Sequence, residues 1–156
     1  MAPGLASFTG VERRFQRLGA ASGIEVVDDY AHHPTEVAAT LAAARHAFPG
    51  RRIVLAFQPH LYSRTRDLQV DFADALSAAD VLLLCDIYGA RETPEPGVTS
   101  ALIGDRVRQG VLQWTGPRTS AADALRNLAR DGDVVLTMGA GDITRTGPEL
   151  LGLLRG

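Results

Sequence analysis

Three five-residue runs that carry no charge constrain this chain more than any other feature: Ile53–Phe57 (IVLAF), Val81–Cys85 (VLLLC) and Val134–Met138 (VVLTM). They are too short for core helices and rich in branched residues, as expected of strands covered on both faces. Between them the apolar period lengthens. Pro34 suits a first helical turn; Val37, Leu41, Ala44 and Phe48 recur at helical spacing until Pro49-Gly50. Leu68, Phe72, Ala75, Leu76 and Ala79 mark a second helix. After a long Pro- and Gly-rich loop, 86–98, the pattern predicts a helix around Ser100 to Gln109 and a short strand at Val111–Trp114. A helix follows Ser120, which pairs with Asp123 as a candidate cap, and Gly139-Ala140-Gly141-Asp142 turns into a C-terminal helix. Upstream, FQRLGA and GIEVVDD form two strands joined at Ala21-Ser22-Gly23. Strands alternating with single helices imply right-handed crossovers. The expected fold is α/β: a doubly wound, mostly parallel Rossmann-like sheet with helices on both faces and an N-terminal β-hairpin, forming one domain over 1–156.

Composition narrows the chemistry. The chain is 46% hydrophobic with a formal charge of -2, which gives no global reason to expect nucleic acid or an anionic membrane as partner. No apolar run approaches the roughly 18 residues of a spanning helix and no signal peptide opens the chain, so a soluble, cytoplasmic setting is expected. The single cysteine, Cys85, lies inside VLLLC as a small buried hydrophobe, which argues against disulfides and a cysteine-rich zinc site. All 16 basic residues are arginine. The chain therefore lacks a phosphate-loop lysine, a Schiff-base lysine and a lysine general base, and is expected to be silent in ATP chemistry alone. The opening MAPGLASFTG, just ahead of a strand, suggests a piece of a longer protein.

In sheets of this kind the working edge lies at the carboxyl ends of the strands. Asp28 to Glu36 (DDYAHHPTE) follows the second strand, Gln58 to Asp67 (QPHLYSRTRD) the third, Asp86-Ile87-Tyr88 the fourth, and the Gly-Ala-Gly-Asp loop the last. Each residue also has a structural role open to it. Asp28 or Asp29 would accept backbone N–H bonds at a helix start; His32 and His33 would cap the helix or pair with Glu36; His60 would belong to a turn. Arg64 and Arg66 lie near a helix N-terminus, an unfavourable place for a cation, which hints at an anionic partner. The glycines at 139 and 141 serve either anion binding or tight turning. A zinc site from Asp29, His32, His33 and His60 is disfavoured because adjacent histidines project differently and nothing like HExxH is present, so no metal ligands are assigned.

Taken in order, GVERRF, DDYAHHPTEV, FQPHLYSRTRDL and VVLTMGAGDI resemble the C-terminal domain of the Mur ligases over nearly the whole chain. DYAH is shared with several amide ligases of the superfamily, whereas the doubled HHPTE followed by QPH-x-YSRTR is most similar to the alanine-adding member. A murein-tripeptide recycling ligase carries a similar motif, and a free-standing non-enzymatic nucleotide-binding domain is the other alternative. The resemblance implies the third domain of an enzyme whose N-terminal domain binds UDP-N-acetylmuramate and whose central domain carries the phosphate loop and the ligands for Mg2+. ATP would convert the muramate carboxylate to an acyl phosphate, which the amine of L-alanine attacks. It also implies roles: Arg14 at the ATP phosphates on closure, Asp29 at the ribose, and His32, His33, His60 and Arg64 at the amino-acid substrate. Leu61 stands where many relatives have arginine.

Overall fold

The structure, a computed structural model, describes residues 13–156. The first three residues of GVERRF therefore lie outside the described residues. Six strands form one sheet: β1 Gln16–Ala21, β2 Ile24–Asp29, β3 Ile53–Phe57, β4 Val81–Cys85, β5 Leu112–Gly116 and β6 Val134–Met138. Their order is β1-β2-β6-β3-β4-β5. Only the β1–β2 hairpin is antiparallel; every other pair runs parallel. Its turn uses Ser22 and Gly23 with φ 53 and 74, the left-handed values that tight hairpin turns require.

Alternation within the strands sorts side chains onto two faces. On one face Ile53, Leu55 and Phe57 of β3 join Leu136 and Met138 of β6. They pack against α1 (Pro34–Ala47), α2 (Tyr62–Leu76) and α3 (Ala101–Gly104). On the other, Val54, Ala56, Leu83 and Val135 pack against α4 (Ala121–Leu128) and α5 (Thr146–Arg155). Helices thus cover both faces, as the unbroken apolar runs require. Cys85 is fully buried among these residues, and burial pushes its thiol up to about 12.

Three expectations need correction. The helix placed around Ser100 to Gln109 is only Ala101–Gly104. Gly104 lies close enough to β4 and β5 that a Cβ would stand 3.1 Å from Leu112 and 3.4 Å from Leu84. Beyond it the chain is diverted to Ser77, whose hydroxyl accepts from Arg108 N at 2.8 Å. The strand placed at Val111–Trp114 is shifted to Leu112–Gly116. Ser120 does stand at the N-cap position of α4, but it closes a 3₁₀ turn, Arg118–Ser120, and makes no side-chain capping bond. Its φ of -100 and ψ of -2 are already helical, whereas a side-chain cap needs an extended residue.

Inserting the last strand between β2 and β3 is what assembles the carboxyl edge. Asp29 and Phe57 both register with Met138, so the loop after β6 emerges between the ends of two other strands. Gly139 N donates to Asp29 O at 3.2 Å, and Gln58 N donates to Met138 O at 3.1 Å.

Candidate functional site at the carboxyl edge

Gly139 and Gly141 are required by close approach. A Cβ at Gly139 would lie 2.9 Å from Gln58 O, and one at Gly141 would lie 2.6 Å from the Tyr88 ring. The buried Gln58 side chain then clamps the loop, donating to Asp142 Oδ1 at 2.8 Å and accepting from Ile143 N at 3.1 Å.

The paired aspartates at the end of β2 point to opposite faces and are both buried, Asp28 at 1% and Asp29 at 3% exposed. Asp28 accepts from the hydroxyls of Thr137 at 2.7 Å and Thr144 at 2.8 Å, and from Arg13 Nε at 3.3 Å. Asp29 accepts from Phe15 N and Ala31 N, each at 2.8 Å. Asp29 therefore fastens the segment ahead of β1 to the start of the α1 approach. Of the two adjacent arginines, Arg13 is tied down: it donates to Gly139 O at 2.8 Å and lies 4.9 Å over the Tyr30 ring. Arg14 is exposed, and its guanidinium has no hydrogen-bond or ion-pair partner among the described residues.

A row of rings crosses the ends of β2, β3 and β4. Tyr30 meets His32 edge-on at 5.0 Å, His32 meets His60 at 5.9 Å, and His60 stacks on Tyr88 at 5.7 Å. His32 Nδ1 lies 3.0 Å from Tyr30 O. Glu36 Oε1 accepts from His32 N at 3.1 Å and His33 N at 3.2 Å. Burial opposes ionisation of Glu36, but these amides with the nearby charges of His32 and Arg14 hold its carboxyl below the usual range. The His33 ring lies 5.2 Å from that of His32 and also lines the groove between α1 and α2 with Leu68 and Asp71.

His60 and Arg64 form the centre. Arg64 Nη1 donates to His60 Nδ1 at 3.2 Å, one helical turn back. Burial first, then the facing Arg64 and His32, push the His60 ring below its ordinary value, while Glu92 opposes them. The ring is thus neutral near pH 7, with Nδ1 as acceptor and the proton on Nε2. No carboxylate lies within ion-pair distance of Arg64 among the described residues, whereas Arg66 is fully engaged by Asp67 and by both oxygens of Glu95 at 2.8 Å. Leu61, at the start of α2, has φ 74 and ψ 135, a strained backbone held at the junction between the two.

The structure thus sets Asp29, His32, His60 and Arg64 along this edge, with His33 beside His32 and Arg14 on the exposed side. Sequence reasoning missed three contributors. Arg13 and Asp28 each stand beside a like residue: strand alternation sends Asp28 and Asp29 to opposite faces, and the left-handed turn at Phe15 helps decide which arginine is bound down. Glu92, in the 86–98 loop, accepts from Ser63 N at 3.0 Å and from the Ser63 hydroxyl. The anion hinted at by the arginines of α2 is therefore supplied in part by the chain itself. No group of three or more His, Cys, Asp or Glu is arranged to hold a metal ion among the described residues, and no helix there is long and apolar enough to cross a membrane.

The family model for "Mur ligase, glutamate ligase domain" matches residues 13–141. UDP-N-acetylmuramate–L-alanine ligase of Anaeromyxobacter sp. (strain Fw109-5) is 57% identical over 152 residues, covering 96% of this chain and 33% of that protein. The chain spans about a third of the length of the curated relatives it matches. Among solved structures, UDP-N-acetylmuramate-alanine ligase of Thermotoga maritima superposes with a TM-score of 0.75 at 25% identity, over 92% of this chain and 30% of that one. A murein peptide ligase of Psychrobacter arcticus shares the fold, with a TM-score of 0.73 at 24% identity, over 92% and 30% of the two chains.

Proposed function

The chain belongs to the Mur ligase family through its glutamate ligase domain, and on that premise we propose that it is the C-terminal part of an ATP-dependent ligase joining L-alanine to UDP-N-acetylmuramate. The reaction so assigned passes through an acyl phosphate of the muramate carboxylate and belongs to peptidoglycan precursor synthesis in the cytoplasm. The relatives at 57% identity support the choice of amino acid. Binding of the UDP-sugar, of ATP and of Mg2+ is assigned mainly to the N-terminal and central domains. A chain without lysine, in which the described residues gather no metal-ligating cluster, is suited to complete such a site rather than to hold a nucleotide and its metal alone.

Within this reading the carboxyl edge receives the amino acid. Arg64 carries the proposal: it is half-buried, aimed by a neutral histidine, and has no carboxylate of its own among the described residues. A guanidinium binds a carboxylate bidentately, and Arg64 would so orient the alanine amine towards the acyl phosphate. His60 and His32 form the adjoining wall, and His33 lies at its rim. Arg14, exposed on the same edge, is assigned to the ATP phosphates, where stabilisation of charge counts most in the transition state. Asp29 serves the nucleotide through Arg14, by fixing the segment that carries it.

Steady-state kinetics of the full-length ligase test this. Arg64→Ala is expected to cost roughly 2–5 kcal/mol in kcat/KM for alanine, with the KM for ATP little changed. Arg64→Lys should fare almost as badly, since a point charge does not reproduce the fork. Arg66→Ala, which removes only a surface pairing, should behave as wild type. Near-normal alanine kinetics in Arg64→Lys would overturn the assignment.

A further inference from the structure

The segment between β4 and α3 carries an acceptor to the start of α2, where the helix has none of its own. It begins with a turn that has no room for a larger residue at Gly89, where a Cβ would lie 2.6 Å from the Tyr62 ring. Ala90 follows with φ 53, and Glu92 N donates to Gly89 O at 2.9 Å. This turn lays the Glu92 carboxylate across Ser63. One oxygen accepts from Ser63 N at 3.0 Å and the other from the Ser63 hydroxyl.

The first amides of a helix lack intrahelical partners, and a side chain at the N-cap ordinarily satisfies that of the second or third residue. Here the N-cap is Leu61, which has no side-chain acceptor, and the first turn of α2 contains no acidic residue. Glu92 does that work from 29 positions away. Arg64 is the next residue after Ser63, and it reaches back to His60, which lies just before the strained Leu61. The Arg64–His60 couple therefore spans the very turn that Glu92 closes.

We propose that Glu92 is a positioning residue: a cap supplied from a distant loop of the chain that fixes the first turn of α2 and with it the hydrogen bond from Arg64 to His60. The bond to Ser63 distinguishes this from simple tethering of the loop. Glu95, in the same loop, makes a surface ion pair with Arg66 and touches neither Ser63 nor the couple. The consequence for amino-acid binding rests on the reading of Arg64 given above; the geometric claim does not.

The test uses two readouts. In the 156-residue chain, nitrogen NMR of the histidine rings reports whether His60 Nδ1 is an acceptor. Wild type should show the Nε2–H tautomer. Glu92→Ala should move His60 towards a mixture of tautomers and lower its titration midpoint, because the cap and a facing negative charge are lost together. Glu92→Gln keeps acceptor and donor groups at Ser63 and should largely restore the tautomer while leaving the midpoint low. Glu95→Gln should leave both unchanged. In the full-length ligase, Glu92→Ala should raise the KM for alanine roughly five- to tenfold, the usual scale for a lost cap, with kcat and the KM for ATP retained. A wild-type His60 tautomer in Glu92→Ala, or an equal disturbance in Glu95→Gln, would overturn the proposal. An altered tautomer with unchanged alanine KM would uphold the cap and overturn the amino-acid reading of Arg64 instead.

Discussion

Replacing Asp29 by asparagine isolates what a single buried oxygen contributes. Asp29 is 3% exposed, and its two oxygens accept from two backbone amides at 2.8 Å, Phe15 N and Ala31 N. Asparagine is nearly isosteric, but its NH2 must face one of those N–H groups. A hydroxyl partner would rotate to accommodate the change; a backbone amide has no such freedom. One buried donor is therefore left unsatisfied, at about 1–3 kcal/mol, and the surviving bond loses its charge assistance, roughly 1 kcal/mol more. The sum is about 2–4 kcal/mol. Phe15 is the amide expected to open, because its φ of 47 is strained for a non-glycine residue and the Asp29 bond is its own amide's hold, beside the pairing of Tyr30 N with Arg13 O and the stacking of its ring on Phe48. Urea unfolding of the chain measures the total, and hydrogen exchange locates it: about 2 kcal/mol at Phe15 corresponds to roughly thirtyfold faster exchange. In the full-length ligase the same variant should weaken the ATP-dependent step through Arg14, with alanine binding spared. Stability within about 0.5 kcal/mol of wild type, with the Phe15 amide still protected, would refute the reasoning.

Two further outcomes follow from the same edge. Because burial, Arg64 and His32 depress His60 below 6.5, its neutral form is the one the fold favours. The stability it contributes is complete above that value and is lost as pH falls through the depressed one, where a charged ring repels Arg64. The KM for alanine should accordingly rise on the acid side below pH 6.5, and His60→Ala should flatten that limb of the profile. Gly139→Ala should destabilise the chain by roughly 1–3 kcal/mol in thermal unfolding, because φ +149 is closed to other residues and the new Cβ would meet Gln58 O at 2.9 Å.

What the sequence disclosed follows from what burial demands of it. Strands covered on both faces must be apolar throughout, so β3, β4 and β6 stand out in the chain, and the segments between them carry the helical period. The position of β6 between β2 and β3 does not stand out, because three equally apolar strands offer no preference for their neighbours. The same limit governs the site. Arg13 and Arg14 are adjacent and alike, and the left-handed turn at Phe15 helps decide which is bound down. Arg64 and Arg66 lie on different sides of α2, but a helical period alone leaves open which side meets the strand ends. Capping was the least legible feature. Ser120 has the right residue type in the wrong backbone conformation, while the acceptor that α2 uses lies in a loop with no periodicity at all.

The distribution of charge explains why the edge suits an anionic ligand even though the chain as a whole is slightly acidic. Most carboxylates near the edge are consumed by the fold, the exposed Asp86 after β4 excepted. Asp28 serves two threonines and Arg13, Asp29 two backbone amides, Glu36 the amides of His32 and His33, and Glu92 the start of α2. Asp142 is held by Gln58. Arginines that have a structural task, Arg13 and Arg66, have carboxylate partners; Arg14 and Arg64 have none among the described residues. An incoming carboxylate at Arg64 displaces no protein carboxylate from that guanidinium, and it meets a histidine already holding the group in place. Orientation of this kind before binding removes a cost that a flexible, self-paired arginine would impose on every encounter. It also makes the neutral state of His60 part of the design: one added proton would turn the acceptor that aims Arg64 into a cation that repels it.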